Sequence, residues 1–574
     1  MKTLPKADVV IVGGGWAGLL MAKELGARTG LSIVVLERGG PRKTADYFDG
    51  MDELDFAIRM RMMQDVSKET VTFRNSPKDR ALPIRQFASF LPGEGLGGAG
   101  EHWNGMTPRF LPDCFEVHTK TIERYGAARL PANHSIQDWG VTYTELEPYY
   151  TRAERLLGIS GQTGLDPFEG PHSAPYPTPP QKTAYFPSMF AEAARSLGYH
   201  PLPSPSANLS QAYRNPDGIV RPACQYCGFC ERFGCMVGAK AQPTNVLMPV
   251  IARQKGVTIR TGANVRRVLH KDGQASGVSY TDANGEEVTQ PASVVMLASW
   301  TLNNTRLLLL SKIGEPYDPA TGKGQLGRNL THQAASRGVV LFFDRPLNRF
   351  MGSGACGVVI RDLDGDNFDH APLDFIRGAH IGAYALGHRP IGSFGVVPPR
   401  VKSTWGSEWK KAAIDAFDTT ANLTISGEHL AYKTNYLDLD PTYRDAQGDA
   451  LLRMTIDWNE NERNMLRFIS AKMTHAGRAM GAREVSVTPL PGHYDVNTYK
   501  STHLQGGTIM GSKPDNSVLN PWLQHWRMSN LFVLGASSFP QNPSGNPTLT
   551  ILAQTLRTAD AVVDRYLKRP GPLA

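Results

Sequence analysis

No stretch of eighteen apolar residues free of charge occurs in the 574 residues, so no segment is predicted to cross a bilayer as a helix. Cysteine is scarce, with six in all, too few to staple a chain of this size with disulfides. A strong surplus of one charge is missing as well. The 61 Lys and Arg against 53 Asp and Glu leave a net +8, too dilute for a nucleic-acid arm and no more than a mild bias toward an anionic substrate or an acidic partner. No segment repeats at a fixed period, which excludes a solenoid or propeller. What is present is 41% apolar residues and 57 glycines. That is enough for a large core and two or more domains, and it excludes a disordered chain.

Lys2 and Lys6 before the apolar run Val9 to Met21 imitate a signal peptide. Glycines 13, 14, 15 and 18 would spoil its apolar region, and cleavage near Ala27 would remove the best nucleotide-binding pattern in the chain. Residues 8–37 read instead as a βαβ unit. Val9 to Val12 is a buried strand, a helix opens at Gly13-Gly14-Gly15-Trp16-Ala17-Gly18 and runs to about Leu25, and Ile33 to Leu36 is a second strand. Glu37 stands nineteen residues beyond Gly18, where an acid takes a ribose hydroxyl pair. The glycines Gly13, Gly15 and Gly18 let the backbone approach a pyrophosphate at the helix N-terminus. The pattern predicts a dinucleotide and does not separate FAD from NAD.

Val294 to Ala298 is read as a third buried strand followed by a helix over Thr301 to Leu310. Near the end, Leu531 to Leu534 is a strand, Gly535 to Pro547 a Gly/Pro/Asn-rich loop, and a helix follows with Leu552, Leu556, Ala559, Val563 and Tyr566 on one face. Pro167 to Pro187 is read as an extended surface connection.

Three stretches settle the cofactor by resemblance: Gly95-Leu96-Gly97-Gly98-Ala99-Gly100-Glu101-His102-Trp103-Asn104-Gly105, His503 to Gly511, and Asn546-Pro547-Thr548-Leu549-Thr550. Together they resemble the glucose–methanol–choline (GMC) oxidoreductases, flavoproteins in which the two ends of the chain meet around FAD. Met63-Gln64-Asp65, Phe90-Leu91-Pro92-Gly93, His102 to Met106, Gln137 to Tyr143 and Cys227 to Cys235 place the likeness in the branch of membrane-bound gluconate 2-dehydrogenases, with fructose, sorbitol and FAD-glucose dehydrogenases as cousins. The family often has Asp-His after Gly-Arg-Asn. Here the segment reads Gly327-Arg328-Asn329-Leu330-Thr331-His332, so His332 receives no catalytic role.

Carried onto this chain, the resemblance places the catalytic pair at His503 and Asn546. A near-neutral imidazole suits removal of the hydroxyl proton while hydride leaves carbon, and an asparagine can donate to the oxygen as alkoxide character grows. The resemblance further implies that Gly97, Gly98, Asn104, Val265, Ala298, Gly535, Ala536, Pro547 and Thr548 lie beside FAD, and that His102 is bonded to the flavin 8α-methyl carbon, a link that raises flavin potential and prevents cofactor loss. The bland reading of these positions is a satisfied core histidine and a loop asparagine capping the last helix.

Cys224, Cys227, Cys230 and Cys235 form a C-x2-C-x2-C-x4-C run. Its short spacings resemble ferredoxin-type runs, and relatives with similar cysteines carry a 3Fe-4S cluster, so an iron–sulfur cluster is the expectation. Whether three or all four cysteines bind is open. Two disulfides are the rival, though near neighbours bridge awkwardly, and zinc sites usually join separated pairs. Cys114 and Cys356 stand alone and are expected to be buried or inert.

The fold expected is mixed α/β: a Rossmann-like FAD-binding domain from 1–110, 205–335 and 502–574, with the cysteine loop at 222–240, and a substrate domain built on an antiparallel sheet from 111–204 and 336–501. The reaction implied is oxidation of a secondary alcohol on a sugar acid or sugar, with D-gluconate to 2-dehydro-D-gluconate as the leading case. Electrons would pass through the iron–sulfur cluster to a membrane-bound cytochrome c subunit and quinone. Alternatives are a related sugar or polyol dehydrogenase, or a GMC oxidase or lyase. With no leader of its own recognised, the chain would reach the periplasmic face of the membrane bound to a small subunit carrying a twin-arginine signal, as relatives do, or else stay cytoplasmic. Nucleic acid is not an expected partner.

Overall fold

A computed structural model describes residues 2–47, 52–59, 61–85, 92–489, 492–496 and 502–573. The expected βαβ unit is its centre. The strand Ala7–Val12 is buried on both faces and pairs in parallel with Ile33–Leu36 on one side and with the second half of Glu287–Leu297 on the other. Val257–Arg260 and Leu531–Val533 extend this parallel array at its two ends. Continuous Val, Ile and Leu runs are what such doubly covered strands require. The first half of Glu287–Leu297 instead joins an antiparallel meander with Asn264–Lys271 and Gln274–Thr281, and with the short strand Lys2–Thr3 paired to it in parallel the sheet has eight strands.

The helix Trp16–Arg28 and the C-terminal helix Thr548–Ala561 pack against each other. Chain start and chain end are therefore neighbours. The predicted helix Thr301–Leu310 forms over those residues. The C-terminal helix passes into a wider turn at Val562–Tyr566, with Leu552, Leu556 and Ala559 buried as the periodicity anticipates.

A second sheet of six strands runs in the order Glu484–Val487, Ala334–Phe342, Thr420–Gly427, Ala379–Tyr384, Gly357–Ile360 and Leu202–Pro203, with every pairing antiparallel. Period-two alternation decides which way Thr420–Gly427 faces. Leu423 and Ile425 are buried, while Asn422, Thr424 and Ser426 are only partly so. The apolar face lies against the helix Glu460–Ala479, whose Met465, Ile469 and Met473 recur at helical spacing and are fully enclosed. Burying each such side chain contributes roughly 2 kcal/mol. A capping box between Asn459 and Glu462 starts that helix. A smaller four-stranded sheet joins Val71–Arg74 and Leu82–Pro83 to Tyr436–Arg444 and Ala450–Thr455, so strands from both sequence blocks named above share it.

Candidate active site

The fingerprint turn sits where the parallel sheet meets the first helix. Gly13 has φ +106°, and a Cβ there would lie 2.4 Å from the Ala298 carbonyl oxygen. A Cβ on Gly18 would lie 2.0 Å from the Gly13 oxygen. These positions need glycine because strand, turn and helix touch through backbone. The helix beginning at Trp16 has no side-chain cap and no acid in its first turn, which leaves N–H groups and the positive dipole end for an anion. Glu37 accepts from the backbone N–H groups of Gly14 at 2.8 Å, Gly39 at 2.9 Å and Gly95 at 3.3 Å. Its carboxylate thus ties the fingerprint to the Gly95–Gly100 loop, with lone-pair capacity left over.

A cavity of about 830 Å³ opens here and runs to the six-stranded sheet. Gly13, Gly15, Glu37, Gly98, His102, Asn104, Val265, Ala298, Gly535, Ala536, Pro547 and Thr548 all line it, together with His503 and Asn546. Residues more than 500 positions apart in sequence are thus brought to one chamber. Gly18 and Gly97 are not in its lining. Gly18 provides the helix-to-turn contact, and Gly97, at φ +94°, shapes the turn and gives its N–H to the Gly14 oxygen at 2.8 Å. Of the quoted motifs, Phe90 and Leu91 lie outside the described residues.

At the far end of this chamber, Asn546 Nδ2 lies 3.2 Å from His503 Nε2. His503 Nδ1 lies 2.6 Å from Gln333 Oε1. The Gln333 amide nitrogen donates to the carbonyls of Ser544 and Gly545, which fixes its oxygen toward the imidazole. His503 Nδ1 therefore carries the hydrogen, and Nε2 presents its lone pair to Asn546 and the chamber. Burial, with His380 nearby, pulls the His503 pKa down to about 4, so the ring is neutral in the resting site. Gln333 was not anticipated. Its only signal was adjacency to His332, the residue given no catalytic role, and His332 is buried and bonded through Nδ1 to the Tyr494 hydroxyl at 2.6 Å.

Model-based family comparison matches residues 134–335 and 431–555 of this chain to the GMC oxidoreductases. Over 99% of its length the chain is 41% identical to the gluconate 2-dehydrogenase flavoprotein of Pantoea cypripedii, covering 95% of that protein. The chain belongs to the GMC oxidoreductase family. It is also 27% identical to the 2-methyl-1,2-propanediol dehydrogenase of Mycolicibacterium austroafricanum, covering 98% of this chain and 96% of that one. The fructose dehydrogenase large subunit of Gluconobacter japonicus is 27% identical, over 97% and 98% of the two chains. Pyridoxine 4-oxidase from Mesorbium loti shares the fold, with a TM-score of 0.61 at 18% identity, covering 96% of this chain and 98% of that one.

As a GMC oxidoreductase the chain is an FAD-dependent enzyme acting on CH–OH donors, and its residues fit that cofactor. The uncapped helix N-terminus suits the pyrophosphate. His102 is 3% exposed, and its Nε2 has no hydrogen-bond partner among the described residues. Burial, assisted by the charges of Lys240 and Arg42, brings the His102 pKa down to about 3, so the ring meets a cofactor as a neutral imidazole.

The cysteine run behaves differently. All four are free thiols, and among the described residues no three His, Cys, Asp or Glu side chains are placed to hold a metal ion. The expected cluster on Cys224, Cys227, Cys230 and Cys235 therefore finds no support in this arrangement. Cys230 and Cys235 are buried, whereas Cys224 and Cys227 lie nearer the surface, and the Cys227 backbone bridges to Gly352. Burial pushes the Cys224 thiol up to about 12 and the Cys230 thiol up to about 11, so without a bound ion both sulfurs are protonated. A buried lysine occupies the heart of the loop: Lys240 Nζ donates to the carbonyls of Trp103 at 2.7 Å, Cys230 at 2.9 Å and Phe233 at 2.8 Å. The Arg232 N–H adds a 2.7 Å bond to the His102 carbonyl. The run is thus fastened directly to the His102–Trp103 segment. Cys114 and Cys356 are buried, and burial raises both thiols.

Proposed function

We propose that this GMC oxidoreductase oxidises a secondary alcohol of a sugar acid or sugar, with D-gluconate to 2-dehydro-D-gluconate as the leading reaction. The observation that carries the substrate is the 41% identity, across nearly the whole of both chains, to a flavoprotein named for gluconate 2-dehydrogenation. The hydroxyl and amide side chains of Asn422, Thr424 and Ser426, which line the cavity, are of a kind that hydrogen-bond a polyol. Screening gluconate against glucose, fructose and sorbitol, anaerobically with an artificial electron acceptor, tests this. Reduction by fructose or sorbitol but not by gluconate would move the assignment to the cousin dehydrogenases.

His503 is the general base and Asn546 the oxyanion donor. Gly13, Gly15, Glu37, Gly98, Asn104, Val265, Ala298, Gly535, Ala536, Pro547 and Thr548 line the cavity and would hold FAD, which would supply the hydride acceptor. The substrate hydroxyl gives its proton to His503 Nε2, the nitrogen whose lone pair faces the cavity because Gln333 holds Nδ1–H. Asn546 Nδ2, already beside that lone pair, donates to the substrate oxygen as negative charge develops there. Because Asn546 is neutral and pre-placed, little reorganisation accompanies the step. His102 Nε2 is the atom that would bond the flavin methyl carbon. Flavin that stays with the acid-denatured polypeptide, and is released by His102→Ala, is the expected result.

We take 1–110, 205–335 and 502–574 as the FAD-binding part and 111–204 and 336–501 as the substrate part; the two large sheets support this division, although Ala334–Phe342 crosses its boundary and the four-stranded sheet draws on both parts. For electron acceptance we favour partner subunits, a small one carrying a twin-arginine signal and a membrane-bound cytochrome c, on the periplasmic face. A relative named as a large subunit supports an assembly of this kind, and among the described residues no helix is long and apolar enough to cross a membrane. No electron-transfer step is assigned to the cysteine run.

A further inference from the structure

A second chamber, of about 30 Å³, shares Asn546 and Tyr384 with the large cavity. It is too small for a sugar and large enough for a water molecule or two. Polar and charged groups line it: His380, His172, Glu169 and Arg361 among them. His380 is the strand partner of Ser426, so it stands on the face of the sheet that Ser426 presents to the large cavity. It is 6% exposed, and its Nδ1 lies 3.5 Å from the Ser544 hydroxyl, next to the carbonyl that anchors Gln333. At the other end, His172 Nε2 lies 3.2 Å from Glu169 Oε2, with side chains 7% and 18% exposed. His172 Nδ1 is buried without a hydrogen-bond partner. Arg361 contributes no free charge, because Asp166 and Asp364 each lie 3.2 Å from it.

The assigned chemistry leaves a proton on His503 each turnover. With cofactor and substrate filling the large cavity, that proton has no open way out until product departs. We propose that the small chamber is its exit, carrying the substrate's hydroxyl proton from His503 through His380 and intervening water to the His172–Glu169 pair and then to solvent. The substrate O–H bond breaks as N–H forms on His503 Nε2. That N–H then breaks as His380 or water takes the proton, and each relay atom passes one on, so a single proton reaches bulk water. The hydride and its electron pair leave separately, and no further reactant is needed. His380 is near enough to lower the His503 pKa by charge repulsion, and two such buried imidazoles cannot comfortably both be charged. Burial brings both His503 and His380 to about 4, so neither retains the proton at neutral pH.

This inference rests on His503 as the base, and the experiment separates the two. In the FAD-loaded enzyme, flavin bleaching and proton release to a pH indicator are followed together by stopped flow in the wild type, His172→Phe and Glu169→Gln. Glu169→Gln removes only a charge and serves if the phenylalanine variant does not fold. The expected result is bleaching at the wild-type rate with proton release delayed about tenfold or more, and recovery of prompt release on adding imidazole, which no merely structural defect would show. Proton release in step with bleaching in both variants overturns the exit. Wild-type bleaching in His503→Ala would overturn the base assignment instead.

Discussion

Gln333 Oε1 and His503 Nδ1 lie 2.6 Å apart, and this contact decides which nitrogen of the imidazole can act. An imidazole held by an acceptor at Nδ1 has one tautomer, with its lone pair on Nε2, the side where Asn546 stands. The glutamine holds the imidazole without a charge where an aspartate does so with one in hydrolytic triads, so the ring is oriented while its basicity stays low.

His503→Ala is expected to bind FAD normally and to slow flavin reduction by roughly 10²- to 10⁴-fold, with substrate affinity little changed. Asn546→Ala should lose less, since the proton acceptor remains. Stopped-flow bleaching of the flavin checks both, and a wild-type rate in His503→Ala would remove it from the chemistry.

Gln333→Leu should slow flavin reduction by about tenfold or more by freeing the wrong tautomer. Gln333→Glu tests the same contact through charge: a carboxylate beside Nδ1 raises the imidazole's affinity for a proton. In the wild type the acid limb of kcat/KM should lie near His503's pKa of about 4, with activity falling as pH drops through it. In the glutamate variant that limb should move to higher pH. An unmoved limb would show that His503 Nδ1 does not sense position 333.

These residues mark where sequence reading succeeds and where it stops. The strands at Val9–Val12 and Ile33–Leu36 and the helix Thr301–Leu310 were legible because buried elements leave unbroken apolar runs and tight turns leave glycines, whereas the meeting of the chain ends was implied by the family resemblance. Gln333 was not legible. Its role comes from a rotamer fixed by two loop carbonyls more than 200 positions away, and a lone glutamine carries no spacing pattern. The cysteine spacing, by contrast, was plainly visible and pointed to convergence. What the spacing could not register was the side chain of Lys240, drawn into the loop by three carbonyls.

Acid should destabilise the fold before the exposed carboxylates titrate. His380, His429 and His525 are brought down to about 4, chiefly by burial, and all three are enclosed. The unfolded chain takes up these protons near pH 6.5 and the folded one does not. Their contribution is therefore fully present above 6.5 and is lost as pH falls toward 4, at on the order of 4 kcal/mol per pH unit for three protons, less the opposite pull of Glu428 and Glu462, whose carboxyls burial pushes up to about 7. Urea midpoints of the holoenzyme at pH 7 and pH 5 measure it, and equal midpoints would contradict the burial of these rings as neutral groups.

Gly18→Ala should fail at the cofactor. Its Cβ would meet the Gly13 oxygen at 2.0 Å, and neither partner can retreat, because the strand before Gly13 is locked in the sheet and the helix is pinned against its C-terminal counterpart. The turn that presents N–H groups to the pyrophosphate must open. The ratio of flavin to protein absorbance in the purified variant should drop to a small fraction of the wild-type value, and full flavin loading would refute the close-contact account.

Lys240→Met removes a charge from the interior, and two effects oppose each other. Relief of the desolvation that lowers the lysine's pKa favours the variant. Against it, the carbonyls of Trp103, Cys230 and Phe233 lose a donor they all share, and each buried orphan costs about 1–3 kcal/mol. Because the ammonium is bonded at all three hydrogens, its desolvation is already well compensated, so loss of the three bonds wins. The melting temperature should fall by on the order of 5 °C or more. The effect should be local as well as global: Trp103 and Cys230 are held to one ammonium, and amide exchange in 224–240 should accelerate together with that in 102–106. If the cysteine loop loosened while 102–106 stayed protected, Lys240 would be a prop for the loop alone and not the tie between the thiol run and the His102 segment.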